Sequence, residues 1–274
     1  MPRAERVFRT DAVILRRYDF LEADRLVTLF TQAHGKMRCI AKGVRKIKSR
    51  QLGHVELFTR ATMLIAWGRE LHVVSQSEMV ESYLPLHEDL ERGAYANYVA
   101  ELVEAFSEFE EQNEALFALL TGAFQWLSDP QADLQLVARY FEQHLLTLVG
   151  FQPSLQHCAL GQEPVEPRDQ FFGIIEGGVI CPAHLTQART ALPLSLTALK
   201  TMRYMQREPY DSVKKLKIRP PLHAELELLQ QQYIVHILER KLRSVDFIKR
   251  LRRMEGSTSH PRPAPDDPVD VDSG

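Results

Sequence analysis

The first eighty positions read as β, in short runs of which the third alternates clearly between apolar and polar, and the pattern switches to a period of three to four after residue 85. The first region holds five β-rich runs parted by turn signals: "TDAVILRR" (10–17), "ADRLVTLFTQ" (23–32), "KMRCIAKG" (36–43), "HVELFTRATMLIAW" (54–67) and "ELHVVSQSE" (70–78). In the third run Met37, Cys39 and Ala41 share one face, predicted to point inward. Lys36, Arg38 and Lys42 share the other, predicted to face solvent, with Ile40 as the apolar exception. Five short strands of this size fit a small Greek-key barrel of the oligonucleotide/oligosaccharide-binding (OB-fold) type.

The second region reads as helical. Tyr98, Leu102, Phe106 and Phe109 line one stripe with Val99 and Val103 beside it, and a second helix covers 112–127 before Asp129–Pro130 breaks the pattern. Leu134, Val137, Phe141, Leu145 and Leu148 follow at spacings of three and four up to Gly150, a C-terminal cap. Residues 151–193 are rich in Pro, Gly and Gln and carry no helical period. A helix capped by Ser195 is expected over 194–206, and one long helix over 224–254. The fold class is thus α+β and multidomain. An OB-fold barrel (1–84) precedes a helical domain (85–254) interrupted by a non-helical insertion (151–193), and a Pro/Asp-rich tail (255–274) is expected to be disordered.

Composition narrows the functional classes. The chain has 274 residues and 45% hydrophobic content, enough for a substantial core. No apolar run approaches the ~20 residues of a membrane span, and the charged N-terminus does not read as a signal peptide. Three cysteines cannot build a disulfide framework, so a reducing cytoplasm is expected. The net charge of −2 is unevenly spread: residues 1–84 hold 15 Lys and Arg against 9 Asp and Glu, a net of +6, and the remainder hold 19 against 27, a net of −8. That split suggests an anionic partner for the barrel.

The charge peaks in "AKGVRKIKSR" (41–50), with Lys42, Arg45, Lys46, Lys48 and Arg50. The run lacks the second glycine and the flanking strand-to-helix context of a nucleotide-binding loop. A solvated turn and a grip on nucleic-acid phosphates remain. Lys36 and Arg38 extend the charge along the preceding strand, and Arg9, Arg16 and Arg17 add to it, which favours the grip. Tyr18, Phe20 and Phe58 are the candidates for base stacking. No G-x-S-x-G or H-E-x-x-H motif occurs, and the acidic run "EAFSEFEEQNE" (104–114) reads as a solvated helix face, so no enzyme is expected. "CPAH" places Cys181 and His184 at metal-ligand spacing, but upstream "HCALG" offers Cys158 with Gly161 where a second thiol belongs. With no closing fourth ligand, neither a metal nor another cofactor is expected. Arg240, Arg243 and Arg250 crowd the last helix, where cations suit the helix dipole and also suit an acidic peptide.

Residues 8–253 resemble the RecO family of bacterial recombination mediators. The likeness rests on "DRLVTLFT" with the following "HGK", on "AKGVRKIKSR", on "FFGIIEGGVICPAH" and on "RKLRSVDFI", in this order and spacing. It implies an OB-fold barrel, a helical C-terminal domain with a zinc-ribbon-like insertion, and a role in DNA repair. It further implies binding and annealing of single- and double-stranded DNA, with RecR, the C-terminal peptide of single-stranded-DNA-binding protein and, indirectly, RecA as partners in a nucleoid-associated, cytoplasmic protein. Family DNA contacts carry over to Lys42, Arg45, Lys46, Lys48 and Arg50. The family's four-cysteine zinc pattern does not carry over intact: only Cys158 and Cys181 match, His184 replaces a third cysteine and Gly161 displaces the fourth. A protein-interaction adaptor whose basic barrel face binds acidic peptides is the alternative.

Overall fold

Each of the five β-rich runs forms a strand. In the computed structural model, which describes residues 6–44 and 55–258, β1 (Val7–Phe20), β2 (Asp24–Thr31), β3 (Gly35–Ala41), β4 (Arg60–Ala66) and β5 (His72–Glu81) close into a barrel of order β1-β2-β3-β5-β4. All pairings are antiparallel except β3 with β5, and β1 closes the barrel against β4. Ala12, Ile14, Val27, Leu29, Met37, Cys39, Ala41 and Met63 fill the interior, as the alternation of β3 requires.

The outer face departs from that alternation. Val13, Leu15 and Phe30 belong to a second core, built with the helices, so β1 is buried on both sides from Ala12 to Leu15. A register shift between Ile14 and Arg16 accompanies this double burial. Strand period alone predicts which residues share a face, but not that a second layer will cover it.

Helices follow from α1 (Pro85–Glu88) and α2 (Leu90–Phe106) through α3 (Glu114–Ser128) and α4 (Leu134–Leu148). Asp89, Asn113 and Asp133 cap α2, α3 and α4 by accepting a backbone N–H three residues on. α2 is buried nearly all round, against β1, α3, α4 and α8 (Arg243–Thr258). Phe109, expected on its stripe, lies beyond its end.

Residues 151–193 carry no α-helix, as expected. They hold a small antiparallel sheet of β6 (Gln170–Gly173), β7 (Gly178–Ile180) and β8 (Ala191–Leu194), with a 3-10 turn at Pro182–Gln187. Ser195 caps α5 (Leu196–Arg207). After the short α6 (Tyr210–Val213), the single long helix expected at the end proves to be two. α7 (Pro220–Leu238) stops at Glu239, whose φ of 53° is left-handed, and α8 restarts at Arg243. The rest of the tail lies outside the described residues.

Candidate nucleic-acid interface and thiol cluster

Ile40, the apolar exception on a charged strand face, sits in a row. Tyr18 lies opposite Leu26 and Leu26 opposite Ile40, all on the outer face of β1–β2–β3. Tyr18 is 56% exposed, and Leu26 and Ile40 are half-buried. Arg38 stands beside the row on the same face, and Lys42 is exposed at the end of β3. The Gly43 N–H donates to the Asp24 carboxylate at 2.7 Å, which holds the start of the basic loop against the β1–β2 turn, where Phe20 and Leu21 are exposed. Val44 and Val55 are both fully buried in the barrel core. Arg45, Lys46, Lys48 and Arg50 fall between these two anchors and lie outside the described residues.

Several other basic groups are engaged within the protein. Lys36, expected in solvent, is buried, and its ammonium donates to the carbonyls of Glu104, at 2.8 Å, and Ser107, at the C-terminus of α2. Burial, helped by nearby Arg38 and Arg240, holds its pKa below the ordinary lysine value. Arg16 pairs with Glu104, and Arg17 with Glu56 at 2.7 Å. Arg25 pairs with Glu56 at 2.7 Å and with Asp19 at 3.2 Å. The Arg9–Glu78 contact, 3.6 Å, is largely exposed and adds little. Phe58 is core, edge-on to Phe124 at 5.4 Å, and leaves the set of stacking candidates.

The acidic run is not a solvated helix face. α2 ends at Phe106, and residues 107–111 cross the barrel instead. The Glu110 N–H donates to the Lys36 carbonyl at 2.9 Å, and the Glu110 carboxylate lies 3.0 Å from His72 Nε2. Phe109 lies under Lys36 and Arg38, 4.5 and 4.8 Å from its ring centre. Gly35, with φ of +61°, admits this crossing, since a Cβ there would fall 1.8 Å from the Glu111 carbonyl.

Arg240, Arg243 and Arg250 are all exposed, and of the three Arg243 lines a cavity of about 390 Å³ between barrel and helices. Its other walls include Arg16, Arg17, Tyr18, Leu57 and Phe247. α8 is held there by Glu101 of α2, which accepts the N–H groups of Arg243 at 3.0 Å and Ser244 at 2.9 Å. Burial opposes ionisation of Glu101, but these hydrogen bonds and that of the Ser244 hydroxyl outweigh it and hold its pKa low.

In the insertion, Cys158, Cys181 and His184 come together, joined by a residue the spacing did not suggest. The tight turn of 158–163, closed by Cys158 N–H to the Glu163 carbonyl at 2.9 Å, brings the Glu163 carboxylate back over the cysteines. Donor atoms of Cys158, Glu163 and Cys181 all lie within 4.8 Å of one another. His184 Nδ1 is 3.6 Å from Cys158 Sγ and 3.1 Å from Glu163 Oε1. His157 is exposed. Cys39 is packing inside the barrel, where burial pushes its thiol up to about 12.

Two family models match the chain, one described as Recombination protein O N terminal over residues 6–83 and one as Recombination protein O C terminal over residues 87–246. A protein of Roseiflexus sp. (strain RS-1) named DNA repair protein RecO is 41% identical over 255 residues, 93% of this chain and 89% of the relative. Proteins of the same name from Dehalococcoides mccartyi (strain ATCC BAA-2266 / KCTC 15142 / 195) and Symbiobacterium thermophilum are 35% and 34% identical. They cover 90% of this chain and 96% and 98% of their own lengths.

Proposed function

The chain belongs to the RecO family of DNA repair proteins, and from that premise we propose that it is a non-enzymatic recombination mediator that binds single- and double-stranded DNA. In this reading it anneals complementary strands and, with RecR, helps to load RecA. The observation that carries the DNA-binding part is the Tyr18–Leu26–Ile40 row, half-exposed and apolar, beside Arg38, Lys42 and the anchored ends of a loop with four further cations. Bases have apolar faces and a charged backbone, so an aromatic and aliphatic strip flanked by Lys and Arg matches both parts of a single strand. Lys36 is left out of this surface because its ammonium is taken up by α2.

The cavity lined by Arg243, Arg16, Arg17, Tyr18 and Phe247 is the proposed seat for the acidic, aromatic-ended C-terminal peptide of single-stranded-DNA-binding protein, with Arg240 and Arg250 outside its lining. No helix among the described residues is long and apolar enough to cross a membrane, and the proposed location is the nucleoid in the cytoplasm.

Full-length protein with Arg45, Lys46 and Lys48 changed to alanine tests the assignment. The slope of log affinity against log salt on single strands should flatten by about 0.7 for each phosphate that is no longer neutralised. An unchanged slope in a folded variant would mean that these side chains only solvate a turn. The full chain is needed because Val13, Leu15 and Phe30 would lose their cover in an isolated barrel.

A further inference from the structure

We propose that the acidic segment 266–272 of this chain folds back on the basic run 214–219 and shields it from other anions. Four of the six residues in "KKLKIR" are cations, within a part of the chain that is acidic as a whole. Leu216 and Ile218 pack on the helical core while Lys215, Lys217 and Arg219 are exposed, so burial alternates along the run and three cations share its outer side. Lys214 is taken by Asp211 at 2.6 Å, with Asp129 also near it. Among the described residues, the side chains of Lys215, Lys217 and Arg219 have no ion-pair or hydrogen-bond partner.

The last two helices deliver the tail to this place. Residues 239–242 join α7 to α8, and Arg252 of α8 lies 2.6 Å from Glu227 of α7, so α8 returns along α7. Lys249 and Arg252 share a cavity with Pro220, His223 and Ala224, at the start of α7. From Arg252, residues 253–258 carry α8 about 9 Å further toward Pro220, the neighbour of Arg219. The eight steps of chain from 258 to 266 reach about 27 Å at most, which includes the whole run.

The two segments agree in spacing as well as in sign. Every second residue of an extended chain faces the same side, about 6.6 Å apart. Lys215, Lys217 and Arg219 follow that rule, and Asp266, Asp270 and Asp272 fall on one parity with Pro268 between them. Laid extended along the run, the tail would set three carboxylates against three free cations and turn Val269 and Val271 to the other side. An exposed ion pair is weak alone. A tether this short holds the tail at about millimolar effective concentration, so weak pairs suffice. The contact stands or falls independently of DNA binding by the barrel. Its consequence is that the cations of the helical domain are withheld from phosphates and acidic peptides until salt or a stronger polyanion releases them. The competing arrangements are a run left bare and a run covered by the tail of a second copy.

Full-length protein treated at low ionic strength with a water-soluble carbodiimide, which condenses a carboxylate with an adjacent amine, should yield links from 266–272 to Lys215 and Lys217. Those links should be lost at about 1 M salt, where the Debye length is about 3 Å. A mixture of isotopically labelled and unlabelled protein should give no mixed links. Changing Asp266, Asp267, Asp270 and Asp272 to asparagine in the full chain should speed acetylation of Lys215 and Lys217 by about tenfold, the shift expected when three exposed ion pairs act together. Lys241, exposed at the other end of the α7–α8 pair, should be acetylated at the native rate. Absence of links to the run, or links chiefly to Lys42 or Lys249, would overturn the proposal. So would mixed links between copies, or equal acetylation of Lys215 and Lys217 in the native and asparagine chains.

Discussion

The ammonium of Lys36, on the third strand of the barrel, ends 2.8 Å from the carbonyl oxygen of Glu104, in the last turn of α2. A cation at a helix C-terminus offsets the partial negative charge of the unpaired carbonyls, here across the joint between barrel and helices. Lys36→Ala should cost about 2 kcal/mol, the scale of a hydrogen bond to a charged group, in urea-induced unfolding. The salt dependence of DNA binding should stay as in the native chain. A flatter slope with unchanged stability would return Lys36 to the DNA surface.

Tyr18 separates stacking from charge. Tyr18→Ala removes an exposed ring and leaves every Lys and Arg in place. Affinity for single strands should fall by about 1–3 kcal/mol with no change in salt slope. Equal loss for duplex and single strand would argue against stacking, since a duplex offers no splayed base.

Glu101 should make the anchoring of α8 sensitive to acid. Its folded-state pKa is lowered, so its contribution is full above the unfolded value of about 4.3 and is lost as the pH falls through the lower folded value. Glu101→Gln should lower stability by about 1 kcal/mol at neutral pH, as loss of a cap does. Denaturation curves for variant and native protein should converge as the pH drops. A constant gap at every pH would show that the carboxylate charge plays no part.

Arg139 and Glu142 form a buried ion pair on α4, 2.6 Å apart, with the Tyr98 hydroxyl also donating to Glu142 at 2.5 Å. Glu142→Leu leaves a buried guanidinium without its counterion and should cost about 3–5 kcal/mol. Adding Arg139→Met should recover most of that loss. If the double variant is no more stable than the single one, the pair matters through packing rather than charge.

The barrel was readable because its interior imposes period two on every strand, and Met37, Cys39 and Ala41 show that rule at full strength. Lys36 was not readable, because its burial depends on Glu104 and Ser107, some seventy residues further along the chain. The break between α7 and α8 was hidden for a different reason. Helical spacing persists from Leu226 to Ile248, and Glu239 carries no glycine or proline signal at its left-handed turn. Glu163 escaped notice because ligand-spacing rules search for Cys and His, whereas a two-residue shift within a tight turn let a carboxylate reach the cysteines. Of the proposed DNA-facing residues, Arg38 and Lys42 are exposed beside the stripe, while the four in the loop lie outside the described residues.

The double burial of β1 has a thermodynamic corollary. Ala12 and Ile14 belong to one core and Val13 and Leu15 to the other, so neither core can melt without uncovering a strand that the other requires. Whatever binds the folded barrel then adds to the stability of the helices by mass action, by about 2.7 kcal/mol when free ligand stands at a hundred times its dissociation constant. An oligonucleotide held on the barrel would thus raise the melting temperature of α2 and α8 through the strand they share with it. Conversely, a peptide seated against Arg243 would stiffen the strand that presents Tyr18. Because Tyr18 belongs to both proposed surfaces, the two partners would also meet directly at this shared strand.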